Sequence, residues 1–330
     1  MKAVIPVAGT GKMLRPHTHT QPKPLLPVAG KPILGHIVER LLAAGLDDFV
    51  FVLGYMGEKI RQYVETEYAR QARCTYIQQE PRMGPGHAIW LCRDLVGQEP
   101  IFIVFGDTIV DADLKGMIAQ PCSVVGVQEV DDPSSFGIAI TNEQGRIVSM
   151  TEKPLIPKSQ LALVGVYCIR ETEALFEALQ WLIDNGRRSH HEYHLTDALM
   201  RLIDLGICIQ TQKVRNWFDC GQVDALLKTN RVLLDQQTAL PLPAFEDVVI
   251  VPPVYIAAGC TIRRSVIGPH VAIAEHAHIE DSIVADSILG AYATLRSIVL
   301  RHSIVGNDAQ LVGRHQRINL GENTVIDFGA

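Results

Sequence analysis

A glycine-rich segment near the start of the chain carries residue types that bind phosphate. The apolar run Val4–Val7 predicts a buried strand, and Gly9, Gly11, Lys12 and Arg15 follow it directly. Glycine lets the backbone approach a ligand closely, and successive amide groups can then surround phosphate oxygens. Cationic side chains beside such a loop add charge-assisted hydrogen bonds. We therefore predict a phosphate-handling loop at the end of the first strand.

The spacing of these residues also fits plainer explanations. Glycine pairs mark ordinary turns as well as ligand sites. No Gly-Lys-Ser/Thr follows at the spacing of a P-loop, and Leu14 stands where a dinucleotide-binding fingerprint requires glycine. From the residues alone, a nucleotide site and a turn both remain open.

A second candidate for chemistry is an aspartate at the end of another apolar run. Asp107 follows Gly106 directly after the run Ile101–Phe105. Oxygen ligands suit Mg²⁺, which usually takes one or two carboxylates and then substrate phosphates. An isolated Asp more often shapes a turn or caps a helix, so this residue alone does not decide between the two roles.

The first 236 residues alternate short apolar runs with helical patterns. This alternation predicts βαβ units and a mostly parallel sheet covered on both faces. In such sheets ligands bind at the carboxyl ends of the strands, where the glycine-rich loop and Asp107 both lie. The predicted strands are Val4–Val7, Phe49–Leu53, Cys74–Gln78, Ile101–Phe105 and Cys122–Val127. The predicted helices are Ile33–Ala44, Gly57–Tyr68, Gly86–Leu95, Glu171–Asn185 and Leu195–Leu205.

The pattern changes near Gln237, and Leu240-Pro241-Leu242-Pro243 predicts a linker. From Val248 to Val312 aliphatic residues recur at six-residue steps, whereas helical patterns almost disappear. A six-residue period stacks one short strand on each face of a triangular coil, with about 18 residues per coil. The segment then holds three or four coils, and a β-sandwich is the alternative. We predict domains at residues 1–236 and 244–330. A Ser followed by two aliphatic residues recurs at Ser265, Ser282, Ser287, Ser297 and Ser303.

The composition argues against several classes of function. A net charge of -6 disfavours a nucleic-acid-binding surface. No apolar run approaches the roughly 20 residues that span a membrane, and the first residues already belong to a strand rather than to a signal peptide. The 7 cysteines contain no C-x-x-C and fit reduced thiols. We expect a cytoplasmic protein without nucleic-acid or membrane partners.

The opening segment resembles that of the sugar-1-phosphate nucleotidylyltransferases, the family of glucose-1-phosphate thymidylyltransferases and uridylyltransferases. Their pattern is roughly G-x-G-T-R-L-x-P-x-T, followed by P-K-P-L-[LV]-P-[VI]-x-[GD]-K-P-[IM]. The matching positions are Gly9, Gly11, Leu14, Pro16, Thr18 and the stretch 22–32. The resemblance implies an α/β fold with a Rossmann-like, mixed and mostly parallel sheet, and a C-terminal left-handed parallel β-helix.

The same resemblance implies an activity and its partners. A nucleotidyl group passes from dTTP or UTP to a sugar-1-phosphate, chiefly glucose-1-phosphate, which gives a nucleotide-diphospho-sugar and pyrophosphate. The cofactor implied is Mg²⁺, held by Asp107 and by Asp219, because Trp217-Phe218-Asp219-Cys220-Gly221 resembles the family's W-x-D-x-G. A homo-oligomer is a further expectation.

The resemblance also assigns binding residues, position by position. The residues implied to bind the nucleotide are Ala8, Gly9, Gly11, Gln79 and Gly84, and the catalytic residues implied are Lys12, Lys23 and Asp107. Gln79 offers a donor and an acceptor to a pyrimidine. The residues implied to bind the sugar phosphate are Gly137, Glu152, Lys153 and Gly165, of which Glu152-Lys153-Pro154 matches the family's E-K-P.

One position departs from the family pattern. The Thr-Arg of the family is Lys12-Met13 here, and the resemblance gives that Arg a contact with the triphosphate. A Met supplies neither charge nor a donor, and Lys12 cannot reproduce bidentate Arg geometry. Three hypotheses follow: a working transferase with a rearranged phosphate clamp, a weak or inactive relative that binds nucleotide sugars, and an acyltransferase that acts through its β-helix.

Overall fold

The computed structural model describes residues 1–237 and 245–313. The chain divides into two compact units, Met1–Thr229 and Asn230–Ala330. The predicted linker at residues 240–243 lies outside the described residues, as do positions 314–330 of the predicted second domain. None of the helices within the described residues has the length and hydropathy to span a bilayer.

The elements up to residue 236 follow in chain order. The strands are β1 (Lys2–Pro6), β2 (Pro27–Val28), β3 (Lys31–Pro32), β4 (Asp48–Leu53), β5 (Arg73–Gln78), β6 (Ile101–Val104), β7 (Thr108–Asp111), β8 (Ser123–Glu129), β9 (Gly137–Thr141), β10 (Ile147–Glu152), β11 (Leu161–Ile169), β12 (Ile209–Lys213) and β13 (Asn216–Asp219). The helices are α1 (Ile33–Ala43), α2 (Gly57–Tyr68), α3 (Pro85–Trp90), α4 (Arg93–Val96), α5 (Leu114–Ala119), α6 (Thr172–Asp184), α7 (Leu195–Asp204) and α8 (Val223–Gln236).

A nine-stranded mixed sheet forms the centre of the first unit, in the order β10-β9-β11-β6-β1-β4-β5, with β8 and β12 branching from β11. Strands β6, β1, β4 and β5 are parallel, whereas β11 runs antiparallel to β6 and β8. Every residue of β6 is buried, because helices cover both faces of a sheet built from crossovers. This arrangement confirms the predicted mixed α/β sheet.

The predicted elements of the first unit agree with the structure, with one correction. The predicted helix Gly86–Leu95 is interrupted: α3 ends at Trp90 and α4 begins at Arg93. The sequence analysis did not identify β9 and β10, which form an antiparallel pair next to β11. Their local pattern is weak because only part of each strand faces the core.

Between residues 245 and 313 the second unit forms a parallel β-helix, whose four described coils follow the six-residue period. Its strands are β14 (Val248–Ile250), β15 (Val254–Ile256), β16 (Thr261–Arg263), β17 (Ser265–Ile267), β18 (Val271–Ile273), β19 (His278–Glu280), β20 (Ile283–Ala285), β21 (Ile288–Leu289), β22 (Thr294–Arg296), β23 (Val299–Arg301), β24 (Ile304–Val305) and β25 (Gln310–Val312). They form three four-stranded sheets, one per face. The recurring aliphatic residues, among them Ile267, Ile273 and Ile279, are buried inside.

The coils are shorter than the predicted length of about 18 residues. Val248 pairs with Ser265, seventeen positions later, whereas Ile283 pairs with Val299, sixteen positions later. The corners explain the difference. Arg264 alone forms the corner between β16 and β17, with φ 44°. Such tight corners require left-handed backbone, which Asp, His and Asn tolerate better than most residues.

The recurring serines hold neighbouring coils together. Ser265 and Ser282 each donate from Oγ to the carbonyl two residues earlier, over 2.7 Å. Each Oγ then accepts an amide of the next coil: Ser282 N lies 3.1 Å from Ser265 Oγ. Ser287 and Ser303 donate in the same way. The serine pattern therefore has a structural role.

Candidate active site

Two adjoining cavities lie at the carboxyl ends of the central strands in the first unit. The first has a volume of about 510 Å³ and the second about 250 Å³. Pro85, Phe105, Asp107 and Glu192 line both of them. The cavities therefore meet around these residues, and Asp107 stands in the short segment between β6 and β7.

The glycine-rich loop forms one wall of the first cavity. Ala8, Gly9 and Lys12 line it, and the Ala8 carbonyl accepts the Tyr55 amide at 3.2 Å. Gly11 does not line the cavity. It has φ 62°, and a Cβ there would lie 2.9 Å from Thr18 Cγ2, so this glycine shapes the loop that presents Lys12.

An ion pair and a second carboxylate lie where the cavities meet. Lys23 Nζ donates to Asp107 Oδ2 over 2.6 Å. Burial alone would raise the pKa of Asp107, but the Lys23 ammonium outweighs it and holds that pKa below its ordinary value. Burial, and then the negative charge of Asp107, raise the pKa of Asp219. Asp219 is therefore the carboxylate whose charge is less well compensated.

Strand pairing accounts for the proximity of the two aspartates. Strand β13 runs antiparallel to β7, with Asp219 opposite Thr108. The Cys220 amide then donates to the Asp107 carbonyl over 3.1 Å. Residues 107 and 219 are far apart in sequence, but this hydrogen bonding holds their backbones side by side.

Gln79 and Gly84 lie at the other end of the first cavity, after β5. Gln79 is 4% exposed, and its Nε2 donates to the Gly84 carbonyl at 2.9 Å and contacts His87 Nδ1 at 3.2 Å. The carbonyl can only accept, so the amide cannot be turned around. One Nε2 proton is therefore used within the protein, the second meets His87 when Nδ1 is the unprotonated ring nitrogen, and Oε1 remains as an acceptor. That Gln79 binds the base stays a prediction, and in this orientation Oε1 is the atom it offers as an acceptor.

Gly137, Glu152 and Lys153 line the second cavity. Glu152 Oε2 accepts the Thr196 hydroxyl at 2.6 Å, and Oε1 lies 3.4 Å from His194 Nδ1. A Cβ on Gly137 would lie 2.8 Å from Glu152 Oε2. The carboxylate is thus held in one position at the cavity wall.

Gly165 and Asp219 complete the predicted residues around the second cavity. Gly165 has φ 79°, a backbone conformation that L side chains rarely adopt. Its carbonyl accepts the Phe105 amide at 3.0 Å, so it connects β11 to the segment that carries Asp107. The positive charge of Lys153 acts to lower the pKa of Asp219, but the raising effects of burial and of the Asp107 charge are larger.

The cavities also contain residues that the sequence analysis did not single out for binding. Arg82 and Glu192 line the first cavity. His194 and Trp217 line the second, and His194 Nε2 and Trp217 Nε1 are buried without a hydrogen-bond partner among the described residues. No pattern in the sequence marked His194. Met13 is 71% exposed and lies outside the lining of both cavities.

Comparison with known proteins identifies the family. Residues 2–236 match the model of the nucleotidyl transferase family, and residues 243–327 match that of the GlmU-like C-terminal hexapeptide. A glucose-1-phosphate thymidylyltransferase of Streptomyces griseus is 31% identical, over 96% of this chain and 93% of the relative. Another, of Streptomyces antibioticus, is 30% identical over 99% of both chains.

A solved structure supports the same assignment. A UDP-glucose pyrophosphorylase in complex with UDP-glucose superposes with a TM-score of 0.62 and 26% identity, and covers 72% of this chain and 99% of its own. Together with the hexapeptide match, this similarity confirms the predicted α/β domain and left-handed parallel β-helix. The chain belongs to the nucleotidyl transferase family of enzymes and carries a GlmU-like hexapeptide domain.

Proposed function

We propose that this protein transfers a nucleotidyl group from dTTP or UTP to a sugar-1-phosphate, most naturally glucose-1-phosphate. The observation that carries the proposal is the meeting of two cavities at Asp107, with Lys23 and Asp219 beside it. Two such compartments with charged groups at their junction suit a reaction that joins two phosphate-bearing substrates. The names of the relatives support glucose-1-phosphate and a thymine or uracil nucleotide.

The reaction joins the substrates without a covalent enzyme intermediate. An oxygen of the sugar-1-phosphate attacks the α-phosphorus of the nucleoside triphosphate, a new P–O bond forms, and pyrophosphate leaves with the electrons of the broken bond. Catalysis then consists mainly of in-line positioning and neutralisation of negative charge. Lys12 and Lys23 bind the triphosphate, and Lys153 orients the attacking phosphate.

The residues at the junction fit a divalent cation. Asp107 and Asp219 offer hard oxygen ligands, and the raised pKa of Asp219, caused by burial and Asp107, reflects uncompensated negative charge. Mg²⁺ commonly takes one or two carboxylates and completes its shell with phosphates and water. Among the described residues no group of three or more His, Cys, Asp or Glu could hold a metal. We therefore assign Mg²⁺ to these two carboxylates, where it would neutralise phosphoryl charge.

Gln79 supports a thymine or uracil base. Its Oε1 can accept the N3–H of thymine or uracil, whereas cytosine presents an unprotonated N3 and adenine an unprotonated N1. Guanine also carries a ring N–H, so the preference for thymine or uracil over guanine rests on the names of the relatives. A base without that donor would leave a buried acceptor unpaired, which costs about 1–3 kcal/mol. The backbone of Gly84 closes the same end of the cavity.

Glu152 is the proposed sugar-hydroxyl acceptor. Its carboxylate is positioned by Thr196, and the absence of a Cβ at Gly137 leaves room beside it. A hydroxyl group of a bound hexose would thus donate to the Glu152 carboxylate, which is held in a fixed position. The backbone of Gly165 borders the same cavity.

The proposal is tested by measuring pyrophosphate release with Mg²⁺ across nucleoside triphosphates and hexose-1-phosphates. We expect release to require both substrates and to be fastest with dTTP or UTP and glucose-1-phosphate. Asp107→Asn serves as the control for contaminating activity. Pyrophosphate release that does not depend on a sugar-1-phosphate, or that persists in the control, would contradict the proposal.

A further inference from the structure

The first cavity contains three cationic side chains, Lys12, Lys23 and Arg82. Lys23 is already engaged with Asp107 at 2.6 Å. Met13, at the position where the family pattern has Arg, is exposed and carries no charge. Besides Lys23, which already pairs with Asp107, a bound triphosphate would therefore meet two cations in the described lining, Lys12 and the guanidinium of Arg82.

Arg82 makes no hydrogen bond or ion pair with any described residue, although both ends of its segment are fixed. Before it, the backbone N–H of Gln79 donates to the carbonyl of Leu53 over 2.8 Å. After it, Met83 O accepts the Tyr193 amide at 2.8 Å. The backbone is thus held while the guanidinium remains available at the cavity. Five N–H donors in a planar fork match phosphate oxygens better than an ammonium group does.

We propose that Arg82 binds the phosphate chain of the nucleoside triphosphate and supplies the guanidinium that position 13 lacks. This inference rests on the proposed function, since it assigns a residue to the same nucleotide site. It places the phosphate-binding Arg on the segment after β5 rather than on the glycine-rich loop. It also explains how a loop with Met13 can belong to a functional site.

The test compares equilibrium binding of dTTP and of thymidine to the full chain and to Arg82→Gln. Loss of a charge-assisted hydrogen bond weakens binding by roughly tenfold to a hundredfold. We expect that loss for dTTP and a change of less than about twofold for thymidine. Arg70→Gln is the matched control, because Arg70 is also exposed but lies outside the lining of both cavities. We expect the control to bind dTTP like the unmodified protein.

A rescue experiment gives a second readout. Met13→Arg placed in the Arg82→Gln background should restore most of the dTTP affinity, because either position would then provide the guanidinium. Equal dTTP affinity of Arg82→Gln and Arg70→Gln would overturn the inference, as would equal losses for dTTP and thymidine. Failure of the proposed function has a different signature: absence of nucleotide-sugar formation by the unmodified protein, whatever the binding data show.

Discussion

Lys23 and Asp107 form an ion pair at the junction of the two cavities, with Nζ 2.6 Å from Oδ2. The Lys23 side chain is 14% exposed. Asp107 raises the pKa of Lys23 in spite of the opposing effect of burial, so Lys23 remains charged. Without a divalent cation, this ammonium compensates one of the two carboxylates. Asp219 is left with the greater excess of negative charge.

Replacing either aspartate should abolish turnover. We expect Asp107→Asn and Asp219→Asn each to lower kcat by at least about 100-fold, because each removes an ionised oxygen ligand from the proposed Mg²⁺ site. Steady-state kinetics at saturating Mg²⁺ measure the effect, and far-ultraviolet circular dichroism verifies that the fold survives. Near-native turnover of both variants would refute the two-carboxylate assignment.

Replacement of Asp219 and replacement of Asp107 by Asn should change the stability of the protein in opposite directions. Asp219→Asn removes a buried like charge beside Asp107, so it should stabilise the protein in Mg²⁺-free buffer. A gain of about 1 kcal/mol corresponds to a rise of about 2–4 °C in Tm. Asp107→Asn leaves Lys23 without its partner and should lower Tm. Differential scanning calorimetry of the three proteins measures both changes. A lower Tm for Asp219→Asn would contradict the charge argument.

Gly137→Ala should weaken binding of the sugar-1-phosphate while leaving binding of the nucleotide almost unchanged. The added methyl would lie 2.8 Å from Glu152 Oε2 and 3.0 Å from Thr196 Oγ1, so it should displace the carboxylate. We expect the KM for the sugar-1-phosphate to rise about tenfold or more, which corresponds to about 1.4 kcal/mol of lost binding. The KM for the nucleotide should change little. A comparable rise in both KM values would indicate general disruption instead.

The β-helix unit contains a carboxylate whose charge should support its stability. Asp286 Oδ2 accepts from Arg231 Nη2 at 2.7 Å and lies 3.1 Å from His302 Nδ1. Burial opposes ionisation, but His302 and Arg231 outweigh it and lower the pKa of Asp286. A carboxyl group whose pKa is lowered in the folded state stabilises the folded protein at pH values above its unfolded-state pKa of about 3.9. This stabilisation is lost as the pH falls through the folded-state pKa.

Asp286→Asn should therefore lower Tm at pH 7, with a loss of about 1.5–3 kcal/mol for hydrogen bonds to a charged group. The difference in Tm from the unmodified protein should shrink below about pH 4. Thermal unfolding followed by circular dichroism across this pH range measures it. A difference that is constant from pH 7 to pH 3 would show that the charge of Asp286 contributes nothing.

The sequence predicts most of this fold because its periodicities are strong. The run Ile101–Phe105 predicts β6, which is buried throughout. The six-residue period predicts the coils around Ile267 and Ile273. The predicted coil length is too long because a corner such as Arg264 needs only one residue in left-handed backbone. The hydrophobic pattern does not specify how many residues a corner contains.

The site was predictable only where a motif marks it. Asp107 and Lys23 stand in recognisable segments, and the structure brings them together. No pattern in the sequence marks Arg82 or His194, so only the tertiary structure assigns them to a cavity. The orientation of the Gln79 amide depends on the Gly84 carbonyl, a contact that sequence spacing does not specify.

The central claim is that the α-phosphorus of the nucleotide is transferred to the sugar-1-phosphate. The most direct measurement follows two isotopic labels, one in the α-phosphate and one in the γ-phosphate of dTTP or UTP, with glucose-1-phosphate and Mg²⁺. We predict that the α-label appears in the nucleotide-diphospho-sugar and the γ-label in pyrophosphate, at equal rates. A γ-label recovered in inorganic phosphate or in the sugar, or an α-label that never joins the sugar, would contradict this mechanism.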